Sequence, residues 1–100
     1  MVRRVRWSRA AQLDLEELFE FIAGSAPVNA SRLATRIKKA SETLDILSER
    51  GRIVPEFHDD ALREIFVSRY RIMYRLSEKE VIIAAVIHMS RDLQSIFHSE

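Results

Sequence analysis

Arginines and a histidine are the side chains in this sequence best suited to chemistry. Arg69, Arg71, Met73 and Arg75 alternate with Tyr70, Ile72, Tyr74 and Leu76. In a strand, that alternation puts the three arginines and Met73 on one face and the aromatic and aliphatic residues on the other. Arginine's planar fork suits bidentate recognition of carboxylate or phosphate. A strand face with three arginines and no acid is not a core face. It predicts that something negative, or something with its own carboxylates, meets it. Arg63 lies just upstream beside Glu64, where the two suit a cross-strand ion pair of little energetic weight. His88 follows the apolar run from Val81 to Ile87. Its imidazole can exchange a proton near neutral pH, although a histidine at a strand end more often serves local hydrogen bonds. His58, Asp59 and Asp60 are adjacent in a polar loop. They make a poor metal site without a framework to set their geometry, so neither a metal nor a cofactor is expected.

Strands must carry these side chains. Leu62 to Leu76 is rich in β-branched and aromatic residues and holds neither Gly nor Pro, as a strand pair requires. Ser77 to Glu80 is a polar turn of hairpin length. Val81 to Ile87 is apolar on both faces, the pattern of a covered central strand. Strands are therefore expected at roughly 62–68, 70–76 and 80–88.

The preceding elements must cover that sheet. Val2 to Trp7 has the pattern of a short, charged edge strand. Ser8 is placed to cap a helix, along which Ala11, Leu15, Leu18, Phe19 and Ile22 form an apolar stripe. Acids crowd its first half, as the helix dipole prefers. Leu13 and Phe21 lie off the stripe, as surface strays or as a docking patch. Gly24 to Pro27 ends this helix and starts another. Ala30, Leu33, Ile37, Ala40, Leu44 and Leu47 continue a second stripe to about Ser48. The two make an antiparallel helical hairpin. Ile53 to Ala61 has the composition of a polar loop, and Leu93, Ile96 and Phe97 have helical spacing in a short C-terminal helix or tail. The order β-α-α-β-β-β defines an α+β domain, with the hairpin packed on one face of a small, mainly antiparallel sheet. The other face stays partly open and carries Arg71, Met73 and Arg75.

Composition sets the bounds. One hundred residues make a single domain over 1–100, and the 47% apolar fraction supplies one modest core. Without cysteine, the chain has neither disulfides nor a cysteine-based zinc site. A formal net charge of +1 argues against a strong, unspecific nucleic-acid binder. The run holding Arg32, Arg36, Lys38 and Lys39 without an acid has the character of a solvated helix face. No apolar run reaches about 18 residues, and Met-Val-Arg-Arg-Val-Arg-Trp is not backed by a signal-peptide core. A cytoplasmic location, away from the membrane, is expected.

In order along the chain come Trp7-Ser8-Arg9-Ala10-Ala11 with Asp14-Leu15; Gly51-Arg52 with Pro55; and Leu62-Arg63-Glu64. Tyr70-Arg71-Ile72-Met73-Tyr74-Arg75 and Val86-Ile87-His88 with Arg91-Asp92 follow. Through these pieces, over about 90 residues, the chain resembles the RelE/ParE family of type II toxin–antitoxin toxins, and the ParE branch more closely. The resemblance implies a toxin of the plasmid-stabilisation kind that arrests growth when released by a ParD-like antitoxin, with which it forms a hetero-oligomer. ParE-like members poison DNA gyrase and are not known as nucleases, whereas RelE-like members cut mRNA in the ribosome; the expectation is a protein that is not an enzyme or, if it is one, an endoribonuclease. Because the branches share a fold, the site must choose between them.

RNA cleavage needs a base for the 2′-hydroxyl, an acid for the leaving oxygen and cations for the phosphorane charge. RelE-like nucleases resemble one another in a lysine/arginine cluster and a tyrosine near the C-terminus. The sheet here offers arginines without lysine, and residues 91–100 hold no tyrosine. Related nucleases use a histidine near the last strand, which would make His88, with Arg63, Arg71 and Arg75, the nuclease set. No catalytic set is favoured, and gyrase is the expected target. The expected antitoxin contacts are Leu13, Phe21, Arg69, Arg71, Met73 and Arg75, meeting an acidic, amphipathic segment.

Overall fold

Ser8 ends a strand and opens a helix. Its backbone N–H donates to Ile83 O at 2.9 Å, and its side-chain oxygen accepts the N–H of Ala11 at 3.1 Å, the N-cap bond that an orphan helix donor needs. The computed structural model describes residues 1–90, so the spacing of Leu93, Ile96 and Phe97 lies outside the described residues. The elements are β1 (Arg4–Trp7), α1 (Arg9–Ala23), α2 (Pro27–Glu42), a 3-10 turn (Thr43–Asp45), β2 (Arg52–Ile53), β3 (Leu62–Val67), β4 (Tyr70–Leu76) and β5 (Glu80–His88). Pro27 stands at the start of α2, where its missing N–H costs nothing.

The sheet order is β1-β5-β4-β3-β2. β1 runs parallel to β5, and the other neighbours are antiparallel. The fold is therefore the expected α+β arrangement, with β2 as an additional short edge strand. A two-residue turn at Ser68-Arg69 joins β3 to β4, and Ser68 sits at φ 54° to make it. Arg69 is thus in the turn, not on the strand row with Arg71 and Arg75.

A bulge sets which β5 residues face which way. Met73 pairs with Ala85 and Tyr74 with Ile83, so Ala84 is the extra residue. Val81, Ile83 and Val86 consequently face the helices, while Ala85 and Ile87 face away. On the helix side, Ala11, Leu15, Ile37 and Leu44 pack on Ile65, Val67, Ile72 and Tyr74. On the other side, Val54, Leu62, Met73, Ala85 and Ile87 form a second cluster, with Phe57 against it. The loop after β2 is therefore not simply polar. It folds across the face opposite the helices and places Val54 and Phe57 there.

Two stripe positions are exposed, and the half-buried Ile22 lies outside the core cluster. α2 stops at Glu42, and the chain tightens into the 3-10 turn. That turn keeps Leu44 buried but rotates Leu47 out, to 55% exposure, because 3-10 geometry advances the phase faster per residue. Phe19 is exposed on the flank of α1, where Ala11, Leu15 and Leu18 already fill the contact. Tyr74 is buried: its hydroxyl donates to Ser48 O at 2.6 Å and accepts the N–H of Gly51 at 3.0 Å. Burial raises its pKa.

Candidate functional site

The arginine row is answered from within the chain. Glu64 on β3 neighbours Met73 on β4 and shares a face with Arg71. Arg71 Nε donates to Glu64 Oε1 at 2.6 Å, and its two terminal nitrogens donate to the Glu56 carboxylate at 2.9 Å each. Arg52 Nε donates to the other Glu64 oxygen at 2.6 Å and lies 5.0 Å over the Phe66 ring. Arg71 is only 6% exposed, and the Glu64 side chain is fully buried. Arg71 hydrogen bonds hold the Glu56 carboxyl below its ordinary range, and the same bonds raise the Arg71 pKa. Arg75 pairs with Asp59 at 3.1 Å, both groups being partly exposed. The N–H of Ala61 and this arginine lower the Asp59 pKa. The row's partners are thus Glu56, Glu64 and Asp59, and Arg71 is a buried anchor for the 54–60 loop, not an open ligand.

Arg63 does not pair with Glu64. It donates instead to the backbone oxygens of Glu49, Gly51 and Asp60, each at 3.2 Å, and so ties the end of the helical hairpin to the sheet. His88 receives the Ser90 backbone N–H on Nδ1 at 3.1 Å and lies 2.7 Å from Ser90 Oγ. Its ring meets Tyr70 edge-on, with centroids 5.2 Å apart.

These positions scatter the nuclease candidates. His88 is opposite Tyr70, and Arg75 is opposite Ile82. Five residues along β4 separate the two ends by about 17 Å at about 3.3 Å per residue. Arg71 is committed to two carboxylates, and Arg63 faces the backbone below the helical hairpin. No scissile phosphate reaches all four from one position. Among the described residues, no group of three or more His, Asp or Glu side chains is placed to hold a metal. No described helix is long and apolar enough to cross a membrane.

What the structure does assemble is a groove of about 830 Å³ that runs from the open sheet face around the C-terminal half of β5 to α1. Leu62, Met73, Ala85 and Ile87 line its floor, Phe57 and Asp59 one wall, and Ala10, Asp14, Glu17, Leu18 and Phe21 of α1 the other. Arg75 and His88 also line it. α1 reaches this position because β1 pairs only as far as Ile83. Beyond it, Asp14 Oδ2 accepts the N–H of Val86 at 2.9 Å and stands in for the missing strand. Of the expected contact residues, Phe21, Met73 and Arg75 meet in this groove. Leu13, Arg69 and Arg71 do not line it. A second stripe on α1, Ala10-Asp14-Glu17-Phe21 at helical spacing, marks this wall in the sequence and includes the acids that the apolar pattern passes over.

The fold is a small α+β domain with helices on one sheet face and a groove beside α1. Residues 5–93 match the family described as ParE toxin of type II toxin–antitoxin system, parDE. Toxin RelE2 of Caulobacter vibrioides is similar, 33% identical over 89 residues that cover 88% of this chain and 97% of the relative. The chromosomal ParDE system of P. aeruginosa is structurally similar, with a TM-score of 0.76 at 17% identity, covering 89% of this chain and 98% of that one. The toxin–antitoxin complex RelBE2 of Mycobacterium tuberculosis has a TM-score of 0.65 at 20% identity, covering 88% and 99%. At those identities the two solved structures share the fold. The chain belongs to the ParE toxin family of type II toxin–antitoxin systems.

Proposed function

We propose that this toxin is held inactive by a ParD-like antitoxin segment bound along the groove between α1 and the open sheet face. When released, it binds a protein target, DNA gyrase, and so blocks replication. The observation that carries the reading is the scatter of His88, Arg63, Arg71 and Arg75. General acid–base cleavage requires its groups within hydrogen-bond reach of one phosphate, whereas two of these arginines are spent on the fold. The groove supports the antitoxin half of the reading, since large apolar side chains from a segment that orders on binding suit its floor. The similarity to a toxin named RelE2 favours a second reading, in which the protein is a ribosome-dependent endoribonuclease with His88 as its acid–base group. Primer extension on several transcripts after induction separates the two. Intact transcripts with arrested replication fit the gyrase reading. Codon-phased cuts within minutes of induction, lost in His88→Ala, overturn it.

A further inference from the structure

Glu17 and Phe21 stand one helical turn apart on the α1 wall of the groove. Phe21 is 84% exposed. Glu17 is exposed as well and makes no hydrogen bond or ion pair among the described residues. The other charged groups on the groove already have partners. Asp14 accepts the Val86 N–H, and Asp59 and Arg75 neutralise each other. Arg71, expected to face an acidic partner, lies buried beside the floor, paired with Glu56 and Glu64. The groove's lining therefore carries three carboxylates against one arginine, and Glu17 is the one of the three with neither a hydrogen bond nor an ion pair among the described residues.

A carboxylate and an aromatic ring at i and i+4 are neighbours on a helix surface. Together they match one ligand group well. A guanidinium can take the carboxylate with its fork and lay its plane on the ring, which an ammonium does less well. We propose that the antitoxin segment filling this groove is amphipathic with a basic edge, its apolar side chains along the groove over the buried Met73 and Ile87 and one arginine seated between Glu17 and Phe21. The proposal rests on the antitoxin reading given above and reverses the charge that the arginine row alone suggests. Glu17 is then the specificity-determining residue: it rewards a cation and repels the acidic segments that a net positive toxin would otherwise attract.

The test uses the full chain and its cognate antitoxin. Titration calorimetry compares the parent with Glu17→Gln, Glu17→Arg, Phe21→Leu and the control Glu16→Gln. Glu17 and Phe21 are surface residues, so unchanged thermal midpoints are expected. Affinity should fall roughly tenfold in Glu17→Gln and roughly a hundredfold in Glu17→Arg, with Phe21→Leu between the parent and Glu17→Gln and the control unchanged. One antitoxin Arg→Glu change should restore binding to Glu17→Arg, which a merely structural role would not produce. The Met73 methyl resonance should shift when the antitoxin binds. Parent-like or tighter binding by Glu17→Arg overturns the proposal, as does a Met73 methyl that the antitoxin leaves unmoved. A Met73 shift that follows toxin concentration alone overturns it in favour of a second copy in the groove. Growth rescue keeps the two readings apart. An antitoxin that fails to relieve arrest by the parent defeats the antitoxin reading, whereas equal relief of the parent and Glu17→Arg defeats only the arginine clamp.

Discussion

Arg71→Ala should be among the most destabilising single changes outside the apolar core. The side chain makes three charge-assisted hydrogen bonds: one to Glu64 at 2.6 Å and two to Glu56 at 2.9 Å. Each such bond contributes about 1.5–3 kcal/mol net, but the sum overstates the loss. Glu64 keeps Arg52, and the Glu56 side chain, 27% exposed, regains water. What remains is a fully buried Glu64 held by one partly solvated partner, together with a cavity and a loosened 54–60 loop. Breaking a buried pair in this way costs roughly 3–5 kcal/mol, and the surviving Arg52 bond places the expected loss near the lower end. Against a typical domain stability of about 5–15 kcal/mol, that loss is readily measured by urea denaturation at neutral pH. Arg75→Ala, whose partner Asp59 is exposed, should cost far less. The double variant Arg71→Met/Glu64→Leu should be more stable than Arg71→Ala, because it removes the orphaned charge as well. The reasoning is refuted if Arg71→Ala costs no more than Arg75→Ala, or if the double variant is the less stable one.

Acid should loosen the same loop. The folded pKa of Glu56 is depressed by Arg71, so its stabilising contribution is present above the ordinary carboxylate value of 4.5 and fades as pH falls through the lower folded value. Glu56→Gln should flatten the acid limb of a stability–pH curve measured by denaturation. Tyr74→Phe should cost about 1–3 kcal/mol in thermal or urea unfolding, because Ser48 O and Gly51 N–H are left buried and unpaired. Gly51→Ala should also destabilise, since a Cβ there would lie 2.5 Å from the Tyr74 hydroxyl and 2.7 Å from Glu64 O. Leu44→Ala should cost about 2–5 kcal/mol, whereas Leu47→Ala should stay within about 0.5 kcal/mol. Equal effects of these two would restore a continuous α2 stripe.

The sheet was the most legible part of the chain, because a period of two with no Gly or Pro leaves few alternatives for 62–76, and Ser77 to Glu80 turns naturally into Val81. The Ser8 cap was equally plain. What stayed hidden needed register. Glu64 next to Arg71 is a cross-strand relation, and Glu56 arrives from a loop, so no local spacing announces either. The bulge at Ala84 was masked because Val81 to Ile87 is apolar at every position, and either phase looks the same. Leu47 leaves the α2 stripe because the 3-10 turn at Thr43–Asp45 changes the helical period. The groove wall lay between two signals. Its stripe mixes alanine, two acids and a phenylalanine, so apolar recurrence alone leaves Phe21 off any stripe.

The central functional claim is that this toxin acts by binding a protein rather than by cutting RNA with His88. Supercoiling by purified DNA gyrase, titrated with the full-length toxin and with His88→Ala, tests it most directly. Both proteins should inhibit supercoiling at similar concentrations, and a stoichiometric amount of the antitoxin should relieve both. Full supercoiling in the presence of excess toxin that still arrests growth would contradict the claim.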